Sequence, residues 1–308
     1  MNEITLVELS KIIDRNKISK RAWAHLGTLC NAKCSFCYYK EDLTKINDVH
    51  DLKIKIIELK ELGYEIIELS GGETTIYPHL FELIDFIESL DLKFSFTTNG
   101  SKLSTIEKII ENHKNSLNLI TFSLHSLNYN DVILNLDVSK KLFKAIEMCE
   151  KENIPFRINT VITNEEKYIE KDLLEYVNDS KAIQHNFLWI CNWGDTQNDY
   201  DIDYIRRTIK FIEDNSTKYV LRYVPKCYTT KYKTAGYIEQ YQDKWDWNIN
   251  AYYRNKWNNV VAFHKNLVHR RKKDFKKSEE CMDCKFFLIC DGVQTTKENP
   301  TVFPVSKD

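Results

Sequence analysis

The chain has 308 residues, of which 43 % are hydrophobic and 29 % charged, and its formal net charge is −1. That length holds one large domain or a domain with a smaller appendage, and the near-neutral balance excludes a global field that would draw the chain to nucleic acid or membrane. The apolar runs fall far short of a bilayer span, and the first eight residues lack the basic-then-apolar order of a signal peptide, so a cytoplasmic setting is expected.

Leu6, Leu9, Ile12 and Ile13 stripe an amphipathic helix within residues 1–21, too short a stretch for a separate peptide-recognition domain. Residues 23–28 read as a strand, followed by the loop Cys30-Asn31-Ala32-Lys33-Cys34-Ser35-Phe36-Cys37. A helix is expected over 51–62, with Ile54, Ile57 and Leu62 on one face and Gly63 as its stop. Strand 64–69 ends in Ser70-Gly71-Gly72-Glu73, and Pro78 opens a helix carrying Leu80, Leu83, Ile84 and Ile87. Strand 93–97 runs into Thr98-Asn99-Gly100, and Ser104-Thr105-Ile106-Glu107 reads as a capping box. Strand 119–123 precedes Leu124-His125-Ser126, and helix 139–150 puts Leu142, Ile146 and Cys149 on one side. Strand 156–162, a short helix over 171–177, strand 184–190 and an isoleucine-striped helix through Ile212 complete six strand–helix units.

Such alternation predicts an α/β fold with a parallel sheet and right-handed crossovers. Six units are fewer than a closed barrel needs, so a partial, splayed (β/α)6 barrel is expected over 22–215. Its site should lie at the C-terminal strand ends. Each polar signature above falls at such an end. After residue 215 the pattern changes to one strand over 219–224, Cys227, an aromatic tract over 228–257, a basic run over 264–277, and Cys281, Cys284 and Cys290. This stretch, 216–308, reads as a small extension. Its aromatic residues suit packing of a small core or a cavity wall, and its basic run reads as a solvated face rather than a nucleic-acid contact.

Nine cysteines in a chain of this setting point to metal or redox chemistry rather than disulfides. Cys30, Cys34 and Cys37 are soft ligands close enough to share one metal centre. Three thiolates on a four-iron cube leave one iron open, and an open metal position is where chemistry occurs. The rivals are a structural zinc knuckle, for which no fourth ligand follows soon after Cys37, and core thiols. Cys149 reads as a core thiol. Cys191, at the end of the sixth strand, reads as structural or as a hydrogen-atom donor at the barrel mouth.

The C-x3-C-x2-C loop, with Phe36 before its last cysteine, resembles the cluster loop of the radical S-adenosylmethionine (SAM) superfamily. The resemblance runs from Trp23 to Cys290. It implies a 4Fe–4S cluster on Cys30, Cys34 and Cys37 whose open iron binds SAM. It also implies reductive SAM cleavage to a 5′-deoxyadenosyl radical that takes a substrate hydrogen, with flavodoxin or ferredoxin as electron donor. Gly71-Gly72-Glu73 resembles the family's GGE turn toward the methionine amino group, with Thr74 in place of a common proline. By the same resemblance Ser123 and His125 meet the ribose or carboxylate, Asn159 with its face-mate Arg157 meets the cofactor, and Thr98 and Asn99 are further candidates.

Cys281, Cys284 and Cys290 resemble the cysteine run of SPASM or twitch extensions. Gln294 stands where SPASM would place a further cysteine, which implies the shorter twitch form with one auxiliary 4Fe–4S cluster and Cys227 as the best-placed fourth ligand. Zinc on those four cysteines is the alternative. Two substrate classes compete: a small polar metabolite such as a sugar or nucleotide, oxidised or epimerised, and a ribosomal peptide presented by a separate recognition protein. A non-catalytic protein with two zinc knuckles is the rival from another class.

Overall fold

The computed structural model describes residues 19–37, 39, 42–162, 169–189, 201–231, 233–235, 275–293 and 300–306. The expected helix within 1–21, Cys191, the aromatic tract beyond 235, the basic run up to residue 274 and Gln294 lie outside the described residues.

The sheet is built in chain order from β1 (Arg21–His25), β2 (Ile66–Ser70), β3 (Lys93–Thr98), β4 (Leu117–Ser123), β5 (Phe156–Ile162) and β6 (Gln184–Trp189), continued by β7 (Tyr219–Arg222) and β8 (Thr234–Ala235). Every neighbour pair is parallel and the order is sequential, which gives a curled partial barrel rather than a doubly wound sheet. The strand expected to open the extension is therefore the seventh strand of the same sheet. It joins β6 through the pairs His185↔Tyr219 to Leu188↔Arg222.

The outer face of the sheet carries α1 (Val49–Glu61), α2 (Leu80–Ser89), α3 (Leu103–His113), α4 (Asn130–Leu134), α5 (Ser139–Glu152), α6 (Lys171–Asp179) and α7 (Ile202–Asn215). Helix α1 starts under an Asp48 cap that accepts from the His50 and Asp51 amides at 2.8 and 3.1 Å, satisfying two N–H groups that have no partner within the helix. It buries Leu52, Ile56 and Leu59, whereas Ile54 and Ile57, the expected core face, are 47 % and 42 % exposed. Both stripes fit a 3.6-residue period, and the i, i+4, i+7 set is the one the sheet covers. The capping box is also displaced. Helix α3 begins at Leu103, its N-cap Lys102 makes no side-chain cap, and Ser104 already lies in the first turn.

One core joins Ala22, Ile67, Phe94, Phe122 and Ile158 to helices α1–α6. A second joins Phe187, Trp189, Leu221 and Tyr228 to Ile205, Ile209 and Ile212 of α7, and it reaches Val293, Val302 and Phe303. That second core crosses residue 216. Among the described residues no helix is long and apolar enough to cross a membrane.

Candidate functional site

Side chains alternate along each strand, so the residues between those core positions face the barrel interior. That inner face is rich in polar groups, Arg21, Glu68, Ser95, Thr97, Thr121, Arg157, Asn159, Gln184, Asn186 and Arg222, set among apolar Trp23, Ile66, Leu119, Val161, Leu188 and Val220. Parallel sheets buried on both faces are ordinarily apolar on both, so this many inward polar groups sets the interior apart from a plain apolar core. At its N-terminal end Arg21 pairs with Glu68 at 2.6 Å, both side chains buried. Nearer the C-terminal ends, Ser123, Asn159 and Asn186 stand in register on three adjacent strands, and Asn186 Nδ2 donates to Asn159 Oδ1 at 2.8 Å. Arg157 lies one inner-face step below Asn159 and donates from Nε to Thr121 Oγ1 at 2.9 Å.

The cysteine loop leaves the end of β1 on a short stem. Thr28 and Leu29 donate their amides to the Lys45 carbonyl at 2.8 and 3.0 Å, and Cys30 donates to Leu43 at 3.1 Å. On the other side of that stem the Gly71-Gly72-Glu73 turn docks, with Gly72 N–H to Gly27 O at 3.0 Å and Glu73 N–H to Leu29 O at 2.8 Å. The two glycines are required by this approach. A Cβ on Gly72 would sit 2.0 Å from the Leu29 carbonyl oxygen, and one on Gly71 would sit 2.3 Å from that of Gly27. Within the loop, Ala32 N–H points at Cys30 Sγ and Tyr39 N–H at Cys37 Sγ, each at 3.4 Å. Helix α4 buttresses the loop through Lys33 N–H to Leu134 O at 3.0 Å.

Burial pushes the Cys30 thiol up to about 11, and burial with the neighbouring Cys37 and Cys30 pushes Cys34 up to about 12. Three thiols held together where ionisation is opposed fit a metal group whose positive charge reverses that preference. Tetrahedral zinc with 2.3 Å bonds needs its sulfurs about 3.8 Å apart. Among the described residues the only set of three candidate ligands within 4.8 Å of one another is Asp85, Glu88 and His113, on the outer helices. Among the described residues, neither cysteine set brings three sulfurs within 4.8 Å of one another.

Phe36 packs edge-on against the His125 ring, centroids 5.0 Å apart. His125 is buried, which pushes it down to about 4, and its Nδ1 accepts from Val161 N–H at 3.2 Å, so the neutral ring keeps its proton on Nε2. Its amide donates to Asn130 Oδ1 at 2.8 Å, which ties the loop after β4 to α4.

The Glu73 carboxylate sits among donors of its own chain. Its carboxylate accepts from Thr75 N–H at 3.0 Å, Thr75 Oγ1 at 2.5 Å, Thr98 Oγ1 at 2.6 Å and Asn99 N–H at 2.6 Å. Three of these donors go to Oε1 and one to Oε2, so the Oε2 atom keeps a lone-pair site beside the Asn99 amide. Burial raises the Glu73 carboxyl while these donors oppose the rise. Asn99 continues the chain of bonds, donating to Asn31 Oδ1 at 3.0 Å, and Asn31 donates to Ser101 Oγ at 2.9 Å. Glu73 thus ties the turn, the end of β3 and the cysteine loop together. Sequence reading missed Asn31, Ser101, Asn130 and Asn186, because single amides and hydroxyls carry no spacing signal.

Replacing Glu73 by Gln turns one acceptor into a donor that faces donors. We expect it to lower the unfolding free energy of the cluster-free protein by ~1.5–3 kcal/mol, measured by urea denaturation. A variant as stable as wild type would mean that the carboxylate is held for a ligand instead.

A second set of thiols lies beyond β7. Cys227, Cys281, Cys284 and Cys290 line one cavity with Pro225, Lys277, Phe286 and Phe287. Burial pushes Cys227 up to about 12, with the three other thiols adding to the rise.

Residues 25–177 match the family model for the radical SAM superfamily. The chain is 30 % identical over 209 residues to an S-adenosylmethionine-dependent nucleotide dehydratase of Flammeovirga pacifica, which covers 63 % of this chain and 70 % of that protein. It is 27 % identical over 162 residues to a GTP 3′,8-cyclase of Clostridium perfringens, where the match spans 48 % of each chain. Among solved structures it resembles Streptococcus suis SuiB bound to S-adenosylmethionine, with a TM-score of 0.59, 17 % identity, and coverage of 93 % of this chain and 75 % of that one, a likeness of fold. With a cysteine loop and a glycine turn meeting at the mouth of a polar partial barrel, the chain belongs to the radical S-adenosylmethionine superfamily and is an enzyme whose chemistry begins with SAM cleavage.

Proposed function

We propose that this enzyme abstracts hydrogen from a small anionic metabolite, a nucleotide in the first instance, bound inside the polar partial barrel. The observation that carries this reading is the pair of buried guanidinium groups on the inner face, Arg157 of β5 and Arg222 of β7, with Gln184 and Asn186 on the strand between them. Arginine forks match phosphate geometry, and buried positive charge favours an anionic ligand. The names of the two relatives above, a nucleotide dehydratase and a GTP cyclase, point the same way. The fold likeness to SuiB, at 17 % identity, gives a peptide substrate no support of its own.

Cys30, Cys34 and Cys37 would hold the 4Fe–4S cluster, which supplies the electron that cleaves the SAM sulfonium to a 5′-deoxyadenosyl radical. Phe36 and His125 wall the mouth, Ser123 and Asn159 present polar atoms toward the cofactor, and Glu73 with Thr98 and Asn99 holds the turn rigid beside it. Cys227, Cys281, Cys284 and Cys290 would hold an auxiliary 4Fe–4S cluster. The late-cysteine region beyond β8 would serve as a twitch-like appendage at the side of the barrel. A protein electron donor such as flavodoxin or ferredoxin supplies the reducing equivalent.

The test is incubation of the reduced enzyme with SAM and ribose-deuterated nucleoside triphosphates, scoring label in 5′-deoxyadenosine. Label transfer is expected from at least one nucleotide and should be lost in Arg157→Gln. No transfer from any nucleotide, with transfer from a labelled sugar or peptide, would overturn the nucleotide reading.

A further inference from the structure

The segment 300–306 carries no recognisable pattern, yet it lies across the four late cysteines. Val305 N–H points at Cys284 Sγ at 3.5 Å, and the Phe303 backbone amide opposes the burial-driven rise at Cys227. The segment is anchored at three points. Val305 O accepts from Lys285 N–H at 3.0 Å, and Thr301 O accepts from the Tyr228 hydroxyl at 2.7 Å. The Phe303 ring packs against Tyr228 with centroids 5.8 Å apart, and the Arg206 guanidinium of α7 stacks 4.0 Å over it. Val302 and Pro304 face the same cavity as the thiols. The early cysteine loop differs, because its N–H donors to sulfur, Ala32 and Tyr39, come from the loop itself.

We infer that residues 301–305 form a strap over the auxiliary cluster, shielding it from water and setting its reduction potential through N–H donors to Cys227 and Cys284. This rests on the reading of those four cysteines as a cluster site. Hydrogen bonds to cluster sulfurs and exclusion of solvent are the means by which a protein sets such potentials. Each N–H stabilises the extra negative charge of the reduced state, so losing one lowers the midpoint. Apolar cover from Val302 and Pro304 slows access of chelators and oxidants.

Two variants separate these effects, each made in a Cys34→Ala background where only the late cysteines can hold iron. Val305→Pro deletes one donor and leaves the Val305 carbonyl in place to accept from Lys285. Phe303→Ala keeps its amide but removes the ring that pins the strap. We expect a lower midpoint in an EPR-monitored redox titration for Val305→Pro, and several-fold faster loss of iron to a chelator for Phe303→Ala. Selective loss of the late cluster from either variant in the wild-type background, with the early one retained, would equally support the strap. Wild-type midpoint and wild-type iron release in both would overturn it. Absence of iron from the Cys34→Ala parent itself would instead overturn the cluster reading of Cys227, Cys281, Cys284 and Cys290.

Discussion

The Cys34→Ala protein, reconstituted without oxygen, should hold about four irons per chain where wild type holds about eight, and should form no 5′-deoxyadenosine from SAM. Loss of one of three thiolates leaves two ligands for the early cluster, too few to retain it. The substitution should not unfold the protein. Cys34 is only partly buried, and it meets the core from its edge. The stem bonds from Thr28, Leu29 and Cys30 to Lys45 and Leu43 are all between backbone atoms and persist without the thiol. Iron and sulfide analysis with Mössbauer spectroscopy reads the first part, and chromatography of the dithionite-reduced reaction reads the second. Undiminished 5′-deoxyadenosine would sink the assignment of Cys34.

The second large effect is expected at a residue with no side chain. Gly72→Ala should release the early cluster and abolish SAM cleavage although every cysteine remains. The new Cβ would lie 2.0 Å from the Leu29 carbonyl oxygen and 2.6 Å from that of Thr28, backbone atoms that cannot swing aside as a side-chain tip can. The turn must then lift from the stem, breaking Gly72 N–H to Gly27 O and Glu73 N–H to Leu29 O. Overpacking of this kind costs about 1–3 kcal/mol before the broken bonds are counted. Because Glu73 also carries Thr98 and Asn99, and Asn99 carries Asn31, the shift passes into the cysteine loop. Full iron content with wild-type SAM cleavage in Gly72→Ala would mean that turn and loop are independent.

Acid should act on the fold through His185, whose ring burial pushes down to about 3. Thr160 Oγ1 donates to the Leu124 carbonyl, so the His185 ring must donate to Thr160 from Nε2 at 2.8 Å, and the neutral ring is the one that fits. A histidine with a lowered folded pKa contributes stability that is full above its unfolded value of about 6.5 and is lost as pH falls from there toward 3. In cluster-free protein His185→Gln should flatten that part of the stability profile. An unchanged slope between pH 6 and 4 would place the acid sensitivity elsewhere.

The sequence by itself determined the architecture and the chemistry class. Alternating strand and helix periods are local, so the parallel order of β1 to β6 and the position of the polar loops at the strand ends followed from spacing alone. The C-x3-C-x2-C loop is likewise contiguous, and its three cysteines need no distant partner to carry the resemblance. Where two local patterns fit the same period, spacing could not choose between them. Ile54 and Ile57 against Leu52, Ile56 and Leu59 was settled only by which stripe the sheet covers.

Long-range meetings were decided by the tertiary structure. Cys227 stands more than fifty residues before Cys281, and only the fold brings it to the same cavity. The donors Thr98 and Asn99 reach the Glu73 carboxylate from the end of the next strand, a meeting that no local pattern announces. The seventh strand read as the start of an appendage because a parallel edge is recognised only by its neighbour. Residues 301–305 have no periodicity, and their backbone amides matter only through the sulfurs they reach. Main-chain donors are identical in every residue but proline, so where they point is a property of the folded chain.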